Sequence, residues 1–469
     1  MKRFEQLAHD LAELIRDGTL QPGQRIPSVR LASRTYKVSP STVFRAYYLL
    51  ENMGLIYARP KSGYFVTSLT SHSLPEPAAG YDETQRTSVD VSELVFSVLR
   101  SMREASQVPF GSAFPCPTLF PMQRLARSMA KATRLMDLRS VVADLPPGNH
   151  SLRRQIAVRY AISGVSVPVE EVLVTDGALE ALNLCLQAVT KPGDLVAIEA
   201  PAFYACLQVL ERLQLQAVEI PVRAATGVDL GVLEQALDQH DIKACWFMTN
   251  FQNPTGASMP ADHKRQLVEL LHRHQIPLIE DDVYGELYFS REAPVPAKAF
   301  DRDGLVMHCS SFSKCLAPGY RVGWVSAGRY LETVQRLKLM TTLSASVPAQ
   351  AALADYLEHG GFDRHLRGLR SSLETQKNRM LAAIDRYFPP QVRVSRPTGG
   401  YFLWLELPPG NDVLALFRAA SERGIGLAPG PMFSATRGFG HCVRLNFGHP
   451  WNDSQEAAIA TLADLVQCR

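Results

Sequence analysis

The chain has 469 residues, of which 46% are apolar and 20% charged, and it carries a net charge of +3. It is too long for one typical domain and too apolar for a disordered chain, and no apolar run approaches the roughly 20 residues that cross a bilayer. The charge is uneven: residues 1–69 hold ten Lys/Arg against five Asp/Glu, a net of +5, and the remainder carries −2, so a polyanion partner is expected for the first part only.

In chain order, the mixed-charge start (Met1-Lys2-Arg3-Phe4-Glu5) shows no signal peptide, and a cytoplasmic protein is expected. Phe4, Leu7, Ala8, Leu11, Leu14 and Ile15 form one helical stripe, ended at Asp17-Gly18. Leu20-Gln21-Pro22-Gly23 reads as a turn, and a short second helix starts near Pro27-Ser28. The third helix has Ser39 as N-cap and Pro40 at its first position, and runs to about Met53 with Gly54 as its cap. Two β-like runs, 55–59 and 64–67, joined by Pro60-Lys61-Ser62-Gly63, predict a hairpin. Three helices and a hairpin in under 70 basic residues suggest a winged helix-turn-helix. Its third helix offers free N–H groups and the hydroxyls of Ser39, Ser41 and Thr42 to phosphate and base edges, with Arg45 on the same helix. Arg59 and Lys61 would reach from the wing.

Residues 70–90 are rich in Ser, Thr, Pro and acids and predict a flexible linker. Beyond it, helical stretches alternate with short apolar strands at 172–174, 195–198, 245–248, 277–279, 306–308 and 323–325, the pattern of an α/β domain with a mainly parallel sheet. From about residue 330 to 469 the chain reads as a smaller α+β lobe with strands at 401–407 and 443–447, so that residues 91–469 form one body. The eight cysteines include no CxxC and sit largely in apolar runs, as buried reduced thiols do; His272 and His274 would not share a helix face, and no metal is expected.

The N-terminal module resembles the GntR family through Arg25-Ile26-Pro27-Ser28-Val29-Arg30, Val38-Ser39-Pro40-Ser41-Thr42-Val43 and Arg59-Pro60-Lys61-Ser62-Gly63-Tyr64-Phe65-Val66. The resemblance implies a double-stranded DNA operator contacted by Arg30, Ser39, Ser41, Thr42, Arg45, Arg59, Ser62 and Gly63. Pro40 stands where many members have Arg, and Ala32-Ser33 where Leu-Ala is usual.

The body has the parts a pyridoxal 5'-phosphate (PLP) site requires: a lysine, a carboxylate for the ring nitrogen, a phosphate-holding turn with an Arg, a stacking aromatic and a second Arg. They stand at Ser310-Ser311-Phe312-Ser313-Lys314, at Asp281 with Tyr284, at Asn253-Pro254-Thr255-Gly256, at Gly177-Ala178 and at Arg321. The body is similar to fold-type I aminotransferases over residues 108–465, an α/β fold with a large domain and a small lobe. That resemblance implies Lys314 as Schiff-base lysine, Asp281 on the pyridine nitrogen, and Asn253 and Tyr284 on the phenolic oxygen. It implies Ser311, Arg321 and the N–H groups of Gly177 and Ala178 on phosphate, Phe203 stacked on the ring, and Arg444 on a ligand carboxylate. No Tyr precedes Pro146-Pro147-Gly148, where many aminotransferases have one.

Together the modules resemble the MocR-type subfamily of GntR regulators, which implies a head-to-tail homodimer sensing an amine, an amino acid or PLP itself. An aminotransferase acting on an α-amino acid is the second reading, and a dimerisation scaffold without cofactor the third.

Overall fold

The structure, a computed structural model, describes residues 3–21, 23–59, 62–66, 74–77, 86–105, 108–137, 139 and 145–467. Pro22, the hairpin tip Pro60-Lys61, most of the expected linker and residues 142–144 lie outside the described residues. By internal contact the chain divides into two compact units. One comprises Met1–Pro75 with Ser372–Val392 and Pro450–Arg469, the other Glu76–Ser371 with Arg393–His449. This differs from a boundary that leaves residues 91–469 in one piece. The two C-terminal stretches of the first unit hold each other: Arg386 and Tyr387 both donate to Glu456, at 2.9 and 3.1 Å.

The head is built as its sequence dictates. Helix α1 (Arg3–Arg16) places Leu7, Ala8, Leu11, Ala12 and Ile15 in a core shared with α2 (Val29–Thr35) and α3 (Pro40–Asn52). Ser28 caps α2 by accepting from Leu31 N at 3.3 Å, and Ser39 caps α3 by accepting from Thr42 N at 3.2 Å. The third helix ends where expected, with Gly54 at φ +69°. Strands β1 (Ile56–Arg59) and β2 (Gly63–Val66) pair antiparallel as the wing, and Tyr47 locks the wing base by donating to Pro27 O at 2.6 Å and meeting the Tyr64 ring edge-on.

In the body, strands run in the order Arg86–Ser88, Gln216–Arg223, Leu195–Ala200, Ile242–Phe247, Leu278–Asp281, Val306–Ser311, Gly323–Ser326 and Val172–Thr175. The four central pairings from Gln216–Arg223 to Val306–Ser311 are parallel, and the outer ones are antiparallel. Leu195–Ala200 and Val306–Ser311 are buried at every position, as continuous apolar strands covered on both faces should be. Arg86–Ser88 corrects the linker assignment: these residues pair antiparallel with Gln216–Val218, and Val89 and Val91 beyond them are buried. The strand Gln216–Arg223 was not anticipated, since its Pro221 reads as a breaker. A second sheet is formed by Arg393–Val394, Phe402–Glu406, Cys442–Asn446 and Ala428–Pro429. No helix among the described residues is long and apolar enough to cross a membrane.

Candidate functional site

Parallel strands release their loops at one edge, and several of the expected site residues follow such strands. Asp281 ends its strand, and Lys314 follows the strand Val306–Ser311 by three residues. Gly177 follows the strand Val172–Thr175 as the N-cap of the helix Ala178–Val189. Asn253 sits in the turn after Ile242–Phe247, where Gln252 accepts from Thr255 N at 2.9 Å and donates to Pro201 O at 2.7 Å.

Lys314 donates to Ala113 O at 3.0 Å, and its Nζ lies 3.8 Å from the centre of the Phe114 ring. Desolvation, with Arg444 and Arg321 nearby, pulls its pKa down to about 7, so a reactive neutral amine exists near neutrality. Asp281 is fully buried and pushed up to about 7 by burial and by Asp282, against the pull of the Val283 N–H, Lys314 and His308. Its Oδ1 has no hydrogen-bond partner. A buried carboxylate oxygen left open this way suits a protonated ring nitrogen.

Arg444, 1% exposed, donates from Nη1 to Asn253 Oδ1 at 3.0 Å and from Nη2 to Gly111 O at 2.7 Å, with the Phe402 ring 4.2 Å from its Cζ. Its Nε is buried without a partner, a donor available to a carboxylate. Asn253 donates to Tyr284 Oη at 3.5 Å, placing the two expected donors side by side. Phe203 is half-buried beside Tyr204, with ring centres 4.7 Å apart.

The corner expected to take phosphate is the most sharply constrained part. Gly177 has φ +84° and ψ 169°, and a Cβ there would lie 2.5 Å from Arg321 Nη2. Arg321 is itself left-handed, at φ +52°, and its Nη1 donates to Ser313 Oγ at 3.2 Å. A guanidinium laid against a side-chain-free helix N-terminus is an arrangement that can hold an anion. Ser311 Oγ accepts from Ser313 N at 3.3 Å. Ser313 was missed by the sequence reading; its place next to Lys314 was the available signal.

Two buried groups behind the site were also missed. His308 pairs with Asp282 at 3.1 Å and with Tyr160 Oη at 2.7 Å, and Trp324 donates to Tyr160 at 3.0 Å. Glu199 accepts from Met248 N at 3.0 Å, and burial holds its pKa well above the usual carboxylate range. A lone His or Glu in an apolar strand carries no sequence signal of such partners.

On the head, Arg30, Ser39, Ser41 and Ser62 are exposed as expected. Ser39 is engaged locally, with its Oγ 2.8 Å from both Ser41 Oγ and Thr42 Oγ1, so it shapes the helix start. Arg45 is exposed but leans on α1, its Cζ 4.8 Å from the centre of the Phe4 ring. Gly63, at φ +101°, lies against the Arg25 guanidinium, which the sequence reading did not single out. Of the cysteines, 185, 206, 245, 309, 315 and 442 are buried free thiols and Cys116 is partly exposed. No cluster among the described residues could hold a metal ion.

Comparison with known proteins agrees with this geometry. Residues 119–460 match the family "Aminotransferase class I and II", and residues 3–66 match "Bacterial regulatory proteins, gntR family". The chain is 48% identical over its full length, and that of the relative, to the uncharacterized HTH-type transcriptional regulator YdcR of Escherichia coli. It is 36% identical over 99% of both chains to the uncharacterized HTH-type transcriptional regulator YjiR of the same organism. The crystal structure of Pyrococcus horikoshii kynurenine aminotransferase, in complex with PMP, covers 80% of this chain and 94% of its own, at 28% identity and a TM-score of 0.75. The chain therefore belongs to the MocR-type GntR regulators, in which a winged helix-turn-helix is joined to an aminotransferase class I and II domain.

Proposed function

We propose that this chain is a PLP-dependent, DNA-binding transcriptional regulator that senses an amine or amino acid at its aminotransferase-like site. The observation that carries the reading is the closeness of Lys314, with its lowered pKa, to Asp281 and Arg444, whose Oδ1 and Nε are buried without partners, on a chain with a gntR-family head. PLP, when bound, supplies an aldehyde for the lysine and an electron-withdrawing ring. Lys314 would hold it, Asp281 would keep a proton on the ring nitrogen, and Asn253 and Tyr284 would face its phenolic oxygen. Arg321, Ser311, Ser313 and the Gly177 and Ala178 N–H groups would take the phosphate, and Phe203 the ring face.

Arg444 would hold the carboxylate of an incoming amino acid, and Lys314 would be the amine it replaces. The freed Lys314 would donate to Ala113 O, in the 111–114 segment that also carries the Arg444 contacts, so its release would be felt there. Such a ligand can bias two conformations because its contacts differ between them. The body would assemble as a head-to-tail homodimer; the exposed Leu135, Leu339, Met340 and Leu343 support a partner surface there. The operator would be double-stranded DNA and the compartment the cytoplasm.

The second reading, an α-amino acid aminotransferase, is favoured by the full retention of Lys314, Asp281 and Arg444. The deciding experiment titrates amines and amino acids into the PLP-loaded protein while following its visible absorption and its DNA affinity, with Lys314→Ala as control. A ligand that shifts both supports sensing. Sustained keto-acid production at enzyme-like rates with DNA affinity unchanged supports the second reading. No visible band after PLP is added overturns the cofactor assignment.

A further inference from the structure

The third helix of the head presents an aromatic stripe to solvent. Along Pro40–Asn52, Val43, Ala46, Tyr47 and Leu50 face the core, and Ser41, Phe44, Arg45 and Tyr48 face outward. Ser41, Phe44 and Tyr48, at i, i+3 and i+7, share one line on the surface. Phe44 is 54% exposed and Tyr48 60% exposed, and Leu31 on α2 is 54% exposed. Arg45 turns from this line toward Phe4 of α1. The cation of the helix is thus drawn to one edge, and an aromatic ring stands where the helix is most open.

An exposed Phe within a basic module needs an apolar partner inside a polyanion. In a duplex major groove, the apolar group on a base edge is the C5-methyl of thymine. We propose that Phe44 is a specificity-determining residue of the head and reads a thymine methyl in the major groove of the operator. The occupant is set by three observations besides exposure. The module carries +5 over residues 1–69 against −2 for the rest of the chain. The hydroxyls of Ser39, Ser41 and Thr42 cluster at the N-terminal end of the same helix, where phosphate or base edges would lie. Tyr48 stands one turn further along, about 6 Å from Phe44, placing its hydroxyl toward the groove rim.

The inference rests on the DNA-binding reading, so its test separates the two. Randomised duplexes are selected on full-length wild-type protein, Phe44→Ala and Phe44→Tyr, and affinities for the selected duplex are then measured with each thymine replaced in turn by deoxyuridine, which lacks only the methyl. Expected is a wild-type motif with one thymine per half-site whose replacement weakens binding about fourfold, the worth of one buried methyl. Phe44→Ala should lose the preference for that thymine and the sensitivity to deoxyuridine while still binding DNA; Phe44→Tyr, which keeps a ring, should retain both in reduced form. An unchanged motif for Phe44→Ala, or deoxyuridine tolerated at every thymine, overturns the proposal and leaves DNA binding standing. If Phe44→Ala alters oligomeric state and not base preference, the stripe serves a protein partner and the proposal fails. A wild-type protein that enriches no motif overturns both readings.

Discussion

Replacing Gly177 with alanine isolates the phosphate corner from the rest of the cofactor site. At φ +84° and ψ 169° the residue occupies backbone space that essentially only glycine enters, and a side chain there costs about 1–3 kcal/mol. The new Cβ would also lie 2.5 Å from Arg321 Nη2, so the guanidinium has to withdraw. The two effects have different readouts. Backbone strain is present with or without ligand and lowers Tm, by about 2–4 °C per kcal/mol for a 150–250-residue domain and less for a larger body. Displacing Arg321 removes a charge-assisted hydrogen bond that exists only with phosphate in place, worth about 1.5–3 kcal/mol or roughly 10- to 150-fold in affinity. Fluorescence titration of the apoprotein with PLP and with pyridoxal, which lacks the phosphate, measures this separately. Gly177→Ala should weaken PLP by at least about tenfold and leave pyridoxal near its parent value. Equal losses for both ligands, or no loss for PLP, would refute the cradle.

Other expectations follow from the same geometry. Uptake of PLP by the apoprotein needs the neutral Lys314 amine. Because its pKa is lowered to about 7, the stopped-flow rate should rise with pH through about 7 and level off, where an ordinary lysine would go on rising to about 10.4. Arg444→Lys keeps the charge but cannot present Nε while bonded to Asn253 and Gly111. Amino acids should therefore bind at least about tenfold more weakly by spectral titration, with amines lacking a carboxylate unaffected. Ser39→Ala removes the α3 cap and should cost about 1 kcal/mol of head stability in chemical denaturation, with DNA affinity falling alongside.

Much of this was legible in the sequence because local rules and global fold agree. The cap at Ser39, the stop at Gly54 and the pairing of the two wing strands are short-range chemistry, and the structure repeats them almost residue for residue. The body's family was legible from a constellation of residues in chain order. What remained hidden depends on distant partners. Ser313 meets Arg321, His308 meets Asp282 and Tyr160, and Arg25 lies under Gly63 only after folding. The lean of Arg45 on Phe4 was hidden for a related reason: helical position says which face a residue shares, not which neighbouring side chain it meets. The linker was misjudged because Arg86-Thr87-Ser88 is polar, yet an edge strand needs only backbone pairing and an open flank.

That short strand also has a consequence for the solubility of the body. Unpaired peptide groups along a sheet margin invite any passing extended chain to add itself. Arg86, Thr87 and Ser88 occupy that margin along Gln216–Val218, with an arginine at the outermost end. A chain beginning after residue 88 would lose this guard and leave the Gln216–Val218 margin open, whereas one beginning before Arg86 would keep it; three residues that look, in the sequence, like spacer cover that stretch of the sheet's edge.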